Sequence, residues 1–221
     1  MRASRRAFIA GLAAALAPEA LAGAQQYEVL SASVRASLAS AVNDRTPVDE
    51  SDLDTRAWVR AMTRRTQPRF ADEDATRHFL ALVRYEAMRS GLDPHMVLAL
   101  VDVESKFKKY AVSRSGARGL MQVMPFWVKE IGEPTHNLFH ERTNLRYGCT
   151  ILRFYLNREN GNMANALARY NGSLGRAEYP NRVLAALRDR WALNAQAFAA
   201  AGPVDFVVSS RNLRDTRPTR S

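Results

Sequence analysis

Residues 101–127 read VDVESKFKKYAVSRSGARGLMQVMPFW. A short apolar run ends in one acid, Glu104, and a Ser/Gly-rich turn leads on to Gly119-Leu120-Met121-Gln122. Just upstream, Asp93-Pro94 offers an N-cap and a first helical residue. Val97, Leu100, Val101 and Glu104 then share one helix face. A carboxylate at the end of a core-facing stripe is partly desolvated, which disfavours its charged form and raises its pKa. That is the state a general acid needs near neutral pH. Position alone leaves a second reading open, a glutamate that reaches solvent or pairs with an arginine. Asp102 lies about 200° around the helix from Glu104. The two carboxylates therefore cannot face one cleft, and Asp102 is expected at the surface.

The same helical period recurs outward in both directions. Leu30, Val34 and Leu38 recur every four residues and suggest a first helix. Asp44 to Asp54 is polar and contains Pro47, so it reads as a linker, with a short helical piece around Trp58 to Met62 that Pro68 ends. Phe79, Val83 and Ala87 share a face, and Gly91 is a helix stop. Downstream, Asn144 can cap a helix bearing Leu145, Gly148, Cys149, Leu152 and Tyr155. Met163, Ala166, Leu167 and Tyr170 mark another, stopped by Asn171-Gly172, and Pro180 opens a last one with Val183, Leu187 and Trp191 in line. No strand-and-turn series and no internal repeat stands out. The class is all-α, with a compact domain over 72–195, an N-terminal helical extension and linker over 25–71, and a polar tail over 196–221.

The chain has 221 residues, 47% of them hydrophobic, and a formal charge of +10. Residues 1–24 have the form of an export signal: Arg2, Arg5 and Arg6, then an apolar stretch from Phe8 to Leu16, too short for a bilayer, then Ala22-Gly23-Ala24 as a small-x-small cleavage site. Ser4-Arg5-Arg6-Ala7-Phe8-Ile9 also resembles the twin-arginine export motif. Cleavage after Ala24 removes those arginines and Glu19 and leaves a charge of about +8. An exported basic protein suits a polyanionic partner of the envelope. The arginines do not alternate with base-stacking aromatics, so nucleic acid is the weakest candidate beside anionic lipid and an anionic envelope polymer and is not expected as the partner, and no later segment is apolar enough to span a membrane. The single cysteine, Cys149, rules out an intrachain disulfide and reads as a buried small side chain. His136 and His140, four apart, lack a third ligand or a His-Glu-x-x-His pattern, so neither metal nor cofactor is expected.

In combination the central residues carry more. Glu104-Ser105-x-Phe107, then Ser113, then Gly116-Ala117-x-Gly119-Leu120-Met121-Gln122-Val123-Met124-Pro125 resembles the lytic transglycosylases with a soluble-lytic-transglycosylase (SLT) domain. Asn144-Leu145-x-x-Gly148 with Leu152 and Tyr155 is similar to that family's second motif, and Ala166-Leu167-Ala168-Arg169-Tyr170-Asn171-Gly172 to its third. Tyr179 ahead of Val183 and Leu184 is a weaker fourth match. The resemblance covers roughly residues 75–190, in the order of the helix signals.

The resemblance implies a lysozyme-like α fold, action on peptidoglycan in the periplasm, and Glu104 as the single catalytic acid/base. It implies that Ser113, Gln122, Met124, Tyr170, Asn171 and Tyr179 bind substrate or shape the cleft. A bond from the Tyr170 hydroxyl to Glu104 is one expectation, and core packing of Tyr170 against Met163 and Leu167 is the other. The chain departs from the family between Gly172 and Tyr179, where only Ser-Leu-Gly-Arg-Ala-Glu intervenes. Many relatives are longer there and carry a Glu-Thr pair. Arg176 and Arg182, in or beside this short link, can meet substrate carboxylates or be solvated surface residues.

Overall fold

The computed structural model describes residues 25–66, 70 and 72–192. The expected export signal, Pro68 and the expected tail from 196 lie outside the described residues. Eight α-helices follow in order among them: α1 Ala32–Asn43, α2 Leu53–Thr66, α3 Glu73–Arg89, α4 Pro94–Ser105, α5 Phe126–Ile131, α6 Glu141–Arg158, α7 Met163–Asn171 and α8 Glu178–Ala186. A π-helical turn, Leu187–Trp191, continues α8. Isolated bridges at Val112, Arg118 and Val123 are the extended pairings among the described residues. The all-α class and the N-terminal helical extension expected from the sequence are observed. The piece around Trp58 is longer than expected, and α5 was not foreseen.

Local chemistry explains most of the ends. Asp93 caps α4 by accepting from the His95 amide at 2.9 Å, with Pro94 in the first turn. Asn162 caps α7 through the Asn165 amide at 3.0 Å, and Gly172 closes that helix at φ 73°, a conformation open to glycine without a Cβ penalty. Asn144 is not the cap of α6. His140 holds that position, and Asn144 lies in the first turn with its side chain turned to other work.

The core gathers around α4. Met96 to Val101 are all at most 5% exposed, so this helix is apolar on nearly every side and must be enclosed. Helices α3 and α8 and the π-helical turn pack against it, while α6 pairs with α3 and α7, and α1 lies on α5 and α6. Rings of Phe70, Phe79, Phe107 and Trp191 meet in offset and edge-on pairs 5.2–6.0 Å apart.

One polar cluster ties the layers together. Glu86 on α3 is fully buried. It accepts from Arg89 Nε at 3.0 Å, from Arg146 at 3.2 Å and from Arg142 at 3.3 Å. Arg89 also donates to the Ala41 carbonyl at 2.9 Å and Arg146 to that of Val42 at 3.5 Å, which ends α1 on the same cluster. Removing the carboxylate strands three guanidinium groups in partly buried places. Glu86→Ala is expected to lower unfolding stability by about 3–5 kcal/mol, read from urea denaturation. A loss under about 1 kcal/mol contradicts this account.

Candidate active site

Helix α4 delivers Glu104 in its last turn. Lys106 at φ 53° and Phe107 at φ 64° then reverse the chain, so the carboxylate stands at the mouth of the following loop rather than inside a longer helix. Glu104 is half-buried. Its Oε1 accepts a short hydrogen bond from the hydroxyl of Tyr179, which projects, 3% exposed, from the first turn of α8. Desolvation raises the Glu104 pKa from 4.5 to about 7, against the opposing pull of the Tyr179 bond and the Arg182 charge. Burial, reinforced by the Glu104 charge, drives the Tyr179 pKa well above its ordinary value, so its hydroxyl remains a proton donor to the carboxylate. Arg182, one turn along α8 and exposed, holds its guanidinium 5.7 Å from the Tyr179 ring centre.

Asp102 is not a surface residue. It is 1% exposed, and its Oδ2 accepts from Arg190 Nε at 2.7 Å and Trp191 Nε1 at 3.1 Å. Burial works against its charge, but these bonds outweigh burial and lower its pKa below the ordinary carboxylate value. The helical period does separate it from Glu104. The far side of α4 is covered by the π-helical turn instead of by water.

The loop from Lys106 to Pro125 is built by close approach. Arg118 pairs with Val123 through two backbone bonds of 2.9 and 3.0 Å. The Asn144 carboxamide then locks this turn to α6. Its Oδ1 accepts from the Met121 amide at 2.7 Å, and its Nδ2 donates to the carbonyls of Arg118 and Leu138, both at 2.8 Å. A Cβ at Gly119 would stand 2.4 Å from that Nδ2. A Cβ at Gly148, one turn beyond Asn144, would stand 2.3 Å from Met121 Sδ. These contacts give physical meaning to Asn144-x-x-x-Gly148, whose signal in the sequence was a glycine inside a helix.

The other expected residues divide by task. Tyr170 is fully buried, and its hydroxyl donates to the Met121 carbonyl at 2.7 Å. The tyrosine that bonds Glu104 is therefore Tyr179, not Tyr170, although the Glu104 charge contributes, after burial, to raising the Tyr170 pKa. Gln122 is buried in a left-handed conformation at φ 49°, and its Nε2 donates to the carbonyls of Gly119 at 2.9 Å and Ala111 at 3.2 Å. Ser113 Oγ accepts from the Ala117 amide at 3.0 Å and lies 2.8 Å from Ser115 Oγ. Met124 packs on the core partly exposed, and Asn171 is buried at the end of α7. His136 Nδ1 lies 2.8 Å from the Tyr147 hydroxyl. Cys149 is buried, and burial pushes its thiol pKa well up. Among the described residues no cluster of three potential metal ligands occurs, and no helix is long and apolar enough to cross a membrane.

Residues 81–186 match the family model for the Transglycosylase SLT domain. The membrane-bound lytic murein transglycosylase C of Yersinia pestis (strain Pestoides F) is 37% identical over 113 residues, which cover 44% of this chain and 32% of that protein. The protein of the same name from Yersinia pseudotuberculosis serotype O:1b (strain IP 31758) has the same identity and coverage. The chain thus spans about a third of the length of these relatives. The X-ray structure of an inactive mutant of lytic transglycosylase Slt from Pseudomonas aeruginosa aligns with 70% of this chain and 30% of that one, at a TM-score of 0.47 and 24% identity. A likeness of that degree carries no argument about the site. The resemblance read from the sequence is thus matched by the Transglycosylase SLT domain model over residues 81–186, just under half of the chain.

Proposed function

We propose that this protein is a peptidoglycan lytic transglycosylase with Glu104 as its single acid/base. The observation that supports it is a half-buried carboxylate with a pKa near 7, oriented by the Tyr179 hydroxyl, while the other acid of α4 is turned away and paired with Arg190. Glu104 protonates the oxygen of the β-1,4 bond between N-acetylmuramic acid and N-acetylglucosamine. The 2-acetamido group of the muramic acid stabilises the cation left at C1. Glu104, now ionised, takes the proton from the O6 hydroxyl, and O6 closes onto C1. The 1,6-anhydro end forms, the glutamic acid is regenerated, and no water or second carboxylate enters.

In this reading Ser113, Gln122, Met124, Tyr170, Asn171 and Tyr179 form or support the cleft. Residues 72–195 are the catalytic domain of a lysozyme-like fold, 25–71 an extension packed on it, and 1–24 a signal for export to the periplasm. No cofactor takes part. The relatives' description as membrane-bound murein enzymes supports an envelope location.

Digestion of purified sacculi should release fragments one water lighter than reducing-end products, read by mass spectrometry; reducing ends would instead mark a hydrolytic muramidase. Glu104→Gln should reduce release by at least about 10²-fold while sparing sacculus binding, and unchanged turnover would sink the assignment. kcat/KM should fall as pH rises through about 7, where the acid ionises. Tyr179→Phe removes a bond that favours the carboxylate, so the falling limb should move to higher pH and kcat should drop. Stability falls in the same direction. A folded pKa raised from 4.5 to about 7 gives stability that is present below 4.5 and lost as pH rises through 7. Glu104→Gln should therefore match the parent to within a few tenths of a kcal/mol near pH 4.5 and exceed it by about 3 kcal/mol at pH 8.5 in urea titrations.

A further inference from the structure

The first described residue, Gln25, is 4% exposed although its neighbours Gln26 and Tyr27 are exposed. Its Nε2 donates to the Gln122 carbonyl at 3.1 Å, and its Oε1 accepts from the Met124 amide at 2.8 Å. The Arg118–Val123 pairing uses the inner edge of this turn. The Gln122 carbonyl and Met124 amide therefore face outward, as an acceptor–donor pair spaced for one amide group. Gln25 fills it as a neighbouring strand would. This edge is tied to the candidate site through its neighbour Met121. Met121, the preceding residue, binds the Tyr170 hydroxyl, and Tyr170 lies within the field of Glu104.

The rest of the N-terminal strap is lightly held. Tyr27 meets the Phe126 ring edge-on at 5.7 Å yet stays 54% exposed, and Val29 is 85% exposed. Glu28 pairs with Arg158 and lies 3.5 Å from Arg169, both bonds at the surface. Firm burial resumes at Leu30, 7% exposed, ahead of α1. Gln25 can thus leave its place with little besides two hydrogen bonds lost, a local opening at the low end of the stability range.

We propose that Gln25 is a built-in competitor of the substrate: its carboxamide occupies the Gln122–Met124 edge that receives an acetamido group of the glycan, and the strap must swing away for the cleft to fill. An N-acetyl group presents the same carbonyl acceptor and N–H donor as the glutamine side chain, and every sugar of the proposed substrate carries one. The inference rests on the peptidoglycan reading above. Apparent affinity is then the intrinsic affinity reduced by the fraction of chains with the strap open.

The test is calorimetric titration of tri-N-acetylchitotriose into the full chain carrying Glu104→Gln, so that binding is read without turnover. Adding Gln25→Ala should tighten binding by roughly tenfold. Gln25→Glu still accepts from Met124 but cannot donate to the Gln122 carbonyl, so it should fall between. Thermal melts establish that each variant is folded, and if Gln25→Ala is not, Gln25→Glu decides by the same sign. Equal or weaker binding by the variants, with the parent binding normally, overturns the competitor role and makes Gln25 a brace for the loop. Binding by none of the chains overturns it together with the substrate reading.

Discussion

The Asn144 carboxamide is the contact on which the site depends. A loop of twenty residues that follows a buried helix must satisfy its backbone groups without regular secondary structure. Asn144 meets three of them at once, with both its donor and its acceptor capacity committed to the Met121 amide and the Arg118 and Leu138 carbonyls. This close approach is possible only because Gly119 and Gly148 lack side chains at the contact. With the turn pinned, Met121 offers its carbonyl to Tyr170, and the outer edge at Gln122 and Met124 takes a defined position. Asparagine on α6 thereby orders a surface that belongs, in sequence, to the end of α4.

Helix α4 is held from both sides by a single arm. The first turn of α8 brings Tyr179 to Glu104, and the π-helical turn at its far end brings Arg190 and Trp191 to Asp102. The two carboxylates receive opposite treatment. Asp102 has a cation and an indole donor and stays ionised in spite of burial. Glu104 has one neutral donor and a more distant guanidinium, so desolvation prevails and its pKa approaches 7. A group poised in this way destabilises the fold at high pH, a pattern of strain retained where chemistry needs it.

Much of the architecture was legible because it rests on local periodicity and capping. The core stripe of α4, the Asp93-Pro94 start and the Gly172 stop depend on neighbours within a turn or two, and they appear as expected. Glu104 was likewise singled out by its helix face. Three readings failed where a distant element intervened. Asp102 faces away from Glu104 as the period requires, but what covers it is a turn almost ninety residues later. Asn144 has the composition of a cap, yet its partners lie on another loop. Tyr170 and Tyr179 are both buried tyrosines near Glu104, and their hydroxyls find Met121 and Glu104 respectively.

By itself the sequence determined the helical class, the lone acid at the end of an apolar stripe and the kinship carried by the motif around it. Those properties follow from side-chain spacing along one helix and from the order of short segments. The tertiary structure alone decided which tyrosine bonds the acid, why the second carboxylate is buried and ion-paired, and that Gln25 lies on the outer edge of the Gln122 turn. Each of these is a meeting of residues about 75 to 100 positions apart, set by how the helices pack. Spacing along the chain carries no record of such pairings, because hydrogen-bond reach is a property of distance in space.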